Sequence, residues 1–377
     1  YQEFFAVDNL NHPITLFAIL GGDCDLIDML KKVGQNFSEC LPFAAQNGKG
    51  TVFRFIYQLY NEAIDLNSHD ETGNASIHYA AQNGDFELIK FLKDNGAEMD
   101  IKNKQGMTAL ALAAKNGYAD IVRYLAKLDA VDVNSKDIHG VTPLYWCVEG
   151  GYSDCVSFLL EADGVKINET DENGFAPLHV SALKGYAPIV AAITTGHDAD
   201  VTLITGDGRS VLHCAAENGN EEIVRYILSL GKLDVNLKSK DGIFFLYFFN
   251  MAPIHYAAKA SSVGAVRLLL NADGIDPNLT CGTGNTALHL ASEIGNLEIV
   301  KVLSVVKDAP LNLGNDRTLT PLHLAADNNH VEVVRFLVQV PGIDVNAKGE
   351  FEVYFCLFIK HLFIMHADVD ILMLLEH

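Results

Sequence analysis

The stretch GVTPLYWCVEGGYSDCVSFLL, residues 140–160, decides the fold because it specifies two short helices joined by a tight turn. Thr142 can cap a first helix, and Pro143 suits its first turn. The glycine pair Gly150 and Gly151 ends that helix, since the left-handed backbone region is least costly for glycine. Apolar residues then recur at helical spacing, which predicts a second helix.

The same pattern recurs along the chain. A glycine, or a small or polar substitute, follows the first helix of nine successive units, at Gly48, Gly84, Gly117, Gly151, Gly185, Gly219, Ser261, Gly295 and Asn329. From Gly84 onward these positions are 33 or 34 residues apart, except for one step of 42 that ends at Ser261. Two helices and a turn cannot bury both apolar faces alone, so neighbouring units must stack into a continuous core. The spacing predicts an all-α solenoid with projecting turns.

Five units share a tetrapeptide at the start of the first helix: TPLY at 142–145, APLH at 176–179, APIH at 252–255, TALH at 286–289 and TPLH at 320–323. These tetrapeptides resemble the T-P-L-H signature of the ankyrin repeat family. The resemblance implies one array over 1–377, made of stacked helix-turn-helix units with projecting β-turn or hairpin loops. We expect units near 8–34, 36–67, 70–102, 103–136, 137–170, 171–204, 205–238, 239–280, 281–314, 315–348 and 349–377.

Composition limits the possible functions. The chain has 27 Lys and Arg against 48 Asp and Glu, a formal charge of −21, which argues against binding nucleic acid or an anionic membrane. Hydrophobic residues make up 49%, too many for a disordered chain. No uncharged stretch reaches the roughly 18 residues that a membrane span requires. We therefore expect a folded, acidic, monomeric protein with no membrane span.

The cysteines and the first residues bear on location. Seven cysteines form no CxxC pair, and an odd number cannot all pair within one chain. A reducing compartment, the cytoplasm or the nucleus, is the simplest interpretation. The chain begins with neither Met nor a signal peptide, so we expect it to be a fragment of a longer protein.

Fourteen histidines could suggest a metal or catalytic site, but six of them share one position of the repeat: His78, His179, His213, His255, His289 and His323. Consecutive copies lie roughly 10 Å apart in stacked helices, whereas zinc ligands must lie within about 2.3 Å of one ion. The resemblance implies that these imidazoles form hydrogen bonds between neighbouring turns. Neither a nucleophile motif nor a phosphate loop occurs. We predict no catalytic residue, no metal, no cofactor and no enzyme activity.

Ankyrin repeats, by this resemblance, bind proteins through their turn tips and the exposed face of the first helix. The position before the signature is apolar in three consecutive units, at Met107, Val141 and Phe175. We predict a partner-binding surface made of Met107, Ile138, His139, Val141, Glu172, Asn173, Phe175 and Arg209. Nearby carboxylates predict a protein partner with an apolar ridge and basic flanks. The alternative is that the three apolar side chains pack on adjacent turns.

Two segments break the repeat. Residues 243–250, IFFLYFFN, account for the eight extra residues, and all eight have codons available from A and T alone. We hypothesise an AT-rich intron read as coding sequence, a gene-model artefact. The alternatives are a hydrophobic finger that touches a membrane or a partner, and a buried insert. Residues 351–366 replace an expected signature, and we hypothesise a second misread junction there.

Two functions remain open. The leading hypothesis is a non-catalytic scaffold for protein–protein interaction in the cytoplasm or nucleus. The alternative is a regulatory or docking segment of a longer protein, such as a kinase, a ligase adaptor or an ion channel. The identity of the partner cannot be derived from the repeat signature, because the signature encodes the fold.

Overall fold

The computed structural model describes residues 14–32, 34, 37, 40–60, 64–196, 198–231, 233–240 and 250–349. The anomalous segment 351–366 lies outside the described residues, as does the insert 243–250 except for Asn250. The chain forms two compact units, and the boundary between them falls after Glu172. Each unit is described separately below.

Unit 1 contains ten described helices that pair in sequence order. They are α1 (Ile14–Gly21), α2 (Cys24–Lys32), α3 (Leu41–Gln46), α4 (Gly50–Tyr60), α5 (Ser76–Asn83), α6 (Phe86–Asp94), α7 (Ala109–Asn116), α8 (Ala119–Leu125), α9 (Pro143–Glu149) and α10 (Ser153–Leu160). First helices pack on first helices, as α5 does on α7, and second helices on second helices, as α8 does on α10.

Unit 2 repeats this arrangement with ten further described helices. They are α11 (Pro177–Lys184), α12 (Ala187–Thr194), α13 (Val211–Asn218), α14 (Glu221–Ser229), α15 (Pro253–Lys259), α16 (Val263–Leu270), α17 (Ala287–Ile294), α18 (Leu297–Ser304), α19 (Pro321–Asp327) and α20 (Val331–Leu337). The only β-structure in the described ranges is two isolated bridges, His69 with Ala75 and Ile204 with Ser210. The predicted all-α class of stacked helix-turn-helix units is confirmed.

The first helices begin and end as the sequence predicts. The Thr142 hydroxyl accepts a hydrogen bond from the Tyr145 backbone N–H at 3.3 Å, and Pro143 is the first residue of α9. At the end of α5, Gly84 has a φ of 73°. Ser261 and Asn329 take the same left-handed conformation, with φ values of 58° and 59°. A side chain is strained there, least so for asparagine.

Small side chains let the first helices approach one another closely. Alanine pairs such as Ala80–Ala81 and Ala257–Ala258 are fully buried between neighbouring first helices. Adjacent Ile and Val residues of the second helices, such as Ile223 and Val224, supply the other half of the core. The apolar faces of each unit are thus buried only because repeats stack.

The insert leaves its repeat closed. In an ordinary turn the backbone N–H of the first residue donates to the carbonyl four residues later, as Asp137 does to Val141 at 3.1 Å. In the anomalous repeat the N–H of Ser239 donates to the carbonyl of Met251 at 3.0 Å. This pair closes the turn in the ordinary way, and the next first helix, α15, begins at Pro253 as in the other repeats.

Candidate partner-binding surface

The turn tips are held by side-chain hydrogen bonds. In the tip formed by residues 137–141, one carboxylate oxygen of Asp137 accepts from the backbone N–H groups of His139 and Val141, at 2.9 and 3.0 Å. Asn103 makes the same two bonds in the preceding tip. A polar side chain that bonds its own turn restricts the turn to one conformation. The side chains at these tips are therefore presented to solvent on a backbone of fixed conformation.

Consecutive tips of unit 1 are also joined through their backbones. The N–H of Ile138 donates to the carbonyl of Gln105 at 3.0 Å, and the N–H of Glu172 donates to the carbonyl of His139 at 3.0 Å. The three tips thus form one continuous edge along unit 1.

Three of the predicted partner-binding residues are exposed on this edge. Ile138 is 63% exposed. The side chains of His139 and Glu172 are 60% and 59% exposed, and the His139 Nδ1 atom lies 3.3 Å from Glu172 Oε1. An exposed isoleucine beside an imidazole and a carboxylate presents an apolar centre with a polar edge, as partner-binding surfaces do.

Met107 and Val141 lie beneath this edge. They are 3% and 6% exposed, and each contributes its backbone to the turn. Their placement favours the alternative given above, in which these side chains pack on adjacent turns. Because they present little surface, they support the tip from below.

In unit 2, the remaining predicted residues differ in how exposed their side chains are. Asn173 is exposed, and Phe175 is half-buried. Arg209 is packed over the Phe175 ring at 5.1 Å, with its side chain 16% exposed. It forms ion pairs with Asp207 and Glu217, both at 2.8 Å. Arg209 is therefore held largely by its own unit.

The carboxylates predicted to flank the surface are mostly engaged within unit 1. Glu169 pairs with Lys136 at 2.8 Å, and this lysine holds the pKa of Glu169 below its ordinary value. Asp171 accepts a hydrogen bond from the Tyr145 hydroxyl at 3.1 Å. Burial is the main reason that the pKa of Tyr145 is raised. Glu172 is thus the most available carboxylate beside Ile138.

An aromatic side chain of the first-helix face supports the 137–141 tip. Trp146 is half-buried, and its Nε1–H donates to Asp137 at 3.2 Å. The Lys115 ammonium lies over its ring, 4.2 Å from the centroid. The indole on α9 therefore holds Asp137 in place, and with it the 137–141 tip that carries Ile138.

The six histidines of the signature are buried. Five of them, His78, His179, His213, His255 and His289, join neighbouring repeats through side-chain hydrogen bonds. In each, Nδ1 accepts from the backbone N–H three residues earlier, as in Ala75 to His78 at 2.9 Å. Nε2 then lies against carbonyls of the next turn, as in His289 to Leu313 and Leu319 at 2.9 and 3.1 Å. The bonds of His179, His213 and His255 are similar, at 3.0, 3.1 and 2.9 Å. A ring that accepts at Nδ1 and donates at Nε2 is neutral.

The electrostatics of these histidines agree with that neutral state. Burial lowers the pKa of His213, His255 and His289 to about 4. Burial likewise lowers the pKa of His78 and His323. No group of three or more metal-ligating side chains occurs within the described ranges. None of the helices in these ranges is both long and apolar enough to cross a bilayer.

An apolar groove of about 330 Å³ lies between α12 and α14 in unit 2. Ala191 and Tyr226 line it, together with the buried Val190. At the matching place in unit 1, Arg123 of α8 covers the ring of Phe158 at 5.2 Å. The groove is open because alanine replaces that long side chain. Sequence reasoning that followed the first-helix face did not predict it, although the double alanine in APIVAAIT was the available signal.

Comparison with known proteins gives one family. The model for ankyrin repeats (3 copies) matches residues 5–103, 41–137, 77–171, 131–205, 178–281 and 254–349. Similar proteins include ankyrin repeat domain-containing protein 37 of Xenopus tropicalis, 38% identical over 79 residues, which are 21% of this chain and 48% of that protein. The Notch-regulated ankyrin repeat-containing protein of Xenopus laevis is 34% identical over 83 residues, which are 22% of this chain and 73% of that protein.

A third relative is named for a regulatory role. Protein phosphatase 1 regulatory subunit 27 of Mus musculus is 36% identical over 67 residues, which are 18% of this chain and 44% of that protein. This chain therefore matches about half the length of the first and third of these relatives.

Proposed function

The chain belongs to the ankyrin repeat family, and on that premise we propose that it is a non-catalytic scaffold for protein–protein interaction. Family members mediate contacts between proteins, which supports this assignment in general terms. The observation that carries it for this chain is the exposure of Ile138 on a tip that hydrogen bonds hold in place. A large apolar side chain fixed in solvent gains most from being covered by a partner.

The proposed contact in unit 1 consists of Ile138, His139 and Glu172, and we call it the tip surface. Met107 and Val141 stay in the proposal only as support beneath it. Asn173, Phe175 and Arg209 form a separate proposed contact in unit 2, where Arg209 is already paired with its own carboxylates.

The partner of the tip surface is a protein segment with an apolar residue flanked by basic ones. Glu172 lies beside Ile138 with its side chain 59% exposed, and the whole chain carries a formal charge of −21. A basic flank would pair with Glu172 and be drawn toward the acidic chain. Such a contact should weaken as salt concentration rises.

Substitution at the tip tests this function. Affinity capture with the wild-type chain identifies bound proteins, and purified candidates are then titrated against Ile138→Asp. Ile204, 45% exposed near a turn of unit 2, supplies the matched control Ile204→Asp. If Ile138 is a binding hot spot, its loss weakens binding by about 2 kcal/mol or more, which is about 30-fold. The proposal fails if Ile138→Asp binds the partner as tightly as the wild type, or if Ile204→Asp weakens binding by as much as Ile138→Asp does.

A regulatory segment of a longer protein is the second candidate, and the relative named as a phosphatase regulatory subunit supports the regulatory role. We further propose a monomer in a reducing compartment, the cytoplasm or the nucleus. Among the described residues, Cys24, Cys147, Cys155, Cys214 and Cys281 form no disulfide bond, which supports the compartment. Sedimentation of the purified chain tests the oligomeric state.

A further inference from the structure

Asparagine side chains join the outer loops of neighbouring repeats. Asn134 accepts from the backbone N–H of Lys166 at 2.7 Å and donates its Nδ2–H to the carbonyl of Gly164 at 2.9 Å. Asn312 makes the same two bonds to Asp344 and Gly342, both at 2.7 Å. Asn236 also makes both, to Asp276 at 2.9 Å and to Gly274 at 2.7 Å. The bridge requires one acceptor and one donor on a single side chain, which an amide provides.

Asp100 occupies the same position between the repeats near 70–102 and 103–136. Its carboxylate faces the backbone N–H of Asp132, which lies 32 residues ahead, as Lys166 lies 32 residues ahead of Asn134. Its Oδ1 atom is buried and has no hydrogen-bond partner. By register, the carbonyl that corresponds for Asp100 is that of Ala130, 30 residues ahead, as Gly164 is 30 residues ahead of Asn134. An ionised carboxylate cannot donate to that carbonyl.

We propose that Asp100 is a protonation-controlled latch between these two loops, open when the carboxylate is ionised and closed when Oδ1 carries a proton. Protonation supplies the missing donor, so that Asp100 then makes both bonds that asparagine makes elsewhere. A buried oxygen that gains a partner stabilises the contact, because its desolvation is no longer uncompensated.

The charges around Asp100 agree with this assignment. Burial is the largest influence and raises the pKa of Asp100 above the ordinary 3.8. The neighbouring Asp132 carboxylate raises it further, while Lys102 lowers it. Because the folded chain takes up the proton before the unfolded chain does, acidification strengthens the latch. His78 bonds to the carbonyl of Ile101 in the same interface, and its own protonation would act in the opposite direction.

Asp100→Asn tests the latch, because an amide keeps it closed at every pH. Amide hydrogen exchange of the full chain, followed in peptides covering 97–101 and 129–134, reports opening of these loops. At neutral pH we expect the variant to exchange at least fivefold more slowly than the wild type. As the pH falls toward the ordinary aspartate pKa the ratio should move toward one, since the wild-type latch closes as Oδ1 takes up a proton. Comparing the two chains at each pH cancels the contribution of His78, which both contain.

The reciprocal variant Asn134→Asp keeps the test decisive. It places a carboxylate in a bridge that is complete, so peptides covering 162–168 should exchange at least fivefold faster at neutral pH and recover on acidification. The latch is refuted if Asp100→Asn exchanges as fast as the wild type at neutral pH. It is equally refuted if the ratio for either variant is independent of pH.

Discussion

Acidification should destabilise unit 2 through three buried histidines, His213, His255 and His289. Each has a pKa of about 4 in the folded chain against an ordinary value of 6.5. Because the folded pKa is the lower one, the unfolded chain binds more protons between these values. The contribution of the three neutral imidazoles is complete above about pH 6.5 and is lost progressively as the pH falls toward 4.

The magnitude follows from the shifts. At about pH 5, roughly 1.5 units below the ordinary histidine pKa, the unfolded chain binds a proton at each of these histidines. This lowers the free energy of unfolding by about 2 kcal/mol for each histidine. Acting independently, the three would remove about 6 kcal/mol from consecutive repeat contacts. Acidification also relieves repulsion within a chain of charge −21, which acts in the opposite direction. Measurements at high salt reduce that opposing contribution.

Hydrogen exchange is the suitable assay, since repeat arrays open locally and need not unfold in one step. Opening free energies of peptides covering 205–296 are compared between neutral pH and about pH 5. His289→Gln keeps one donor and one acceptor without titrating, so it should lose about one third less stability on acidification. Equal acid losses in His289→Gln and the wild type would refute the reasoning.

Two further predictions concern the repeat itself. Ser261→Gly should stabilise the chain by about 0.5 kcal/mol, because serine at a φ of 58° is strained. The greater conformational freedom of glycine in the unfolded chain offsets part of this gain. Asn329→Gly should change stability less, because asparagine is less strained than serine in this conformation. Denaturant titration of both variants measures the two changes, and an unchanged stability of Ser261→Gly would contradict the prediction. Deleting residues 243–250 should preserve the fold and raise stability by up to about 1 kcal/mol, since Ser239 and Met251 already close the turn. A lower melting temperature on deletion would show that the insert packs against the array.

The repeat was predictable from sequence because its chemistry is local. The cap by Thr142, the proline after it and the left-handed conformation at Ser261 each depend on a few neighbouring residues. The family assignment followed from the same motif in phase over many units.

The binding surface was less predictable, since it depends on where side chains lie relative to the next turn. Met107 and Val141 precede the signature at positions where an apolar residue can face either solvent or the adjacent tip, and pattern alone does not distinguish these cases. Asp100 was unpredictable for a similar reason, because the lack of a hydrogen-bond partner at its Oδ1 atom depends on how the loops of neighbouring repeats pack.

Photo-cross-linking from position 138 tests the central claim most directly. A photoreactive residue replaces Ile138 in one variant and Val305, 79% exposed after α18, in another. If the tip surface binds a partner, illumination in a cell extract gives a discrete covalent adduct from position 138 that is absent from position 305. Adducts of equal abundance from both positions, or none from position 138, would contradict the account.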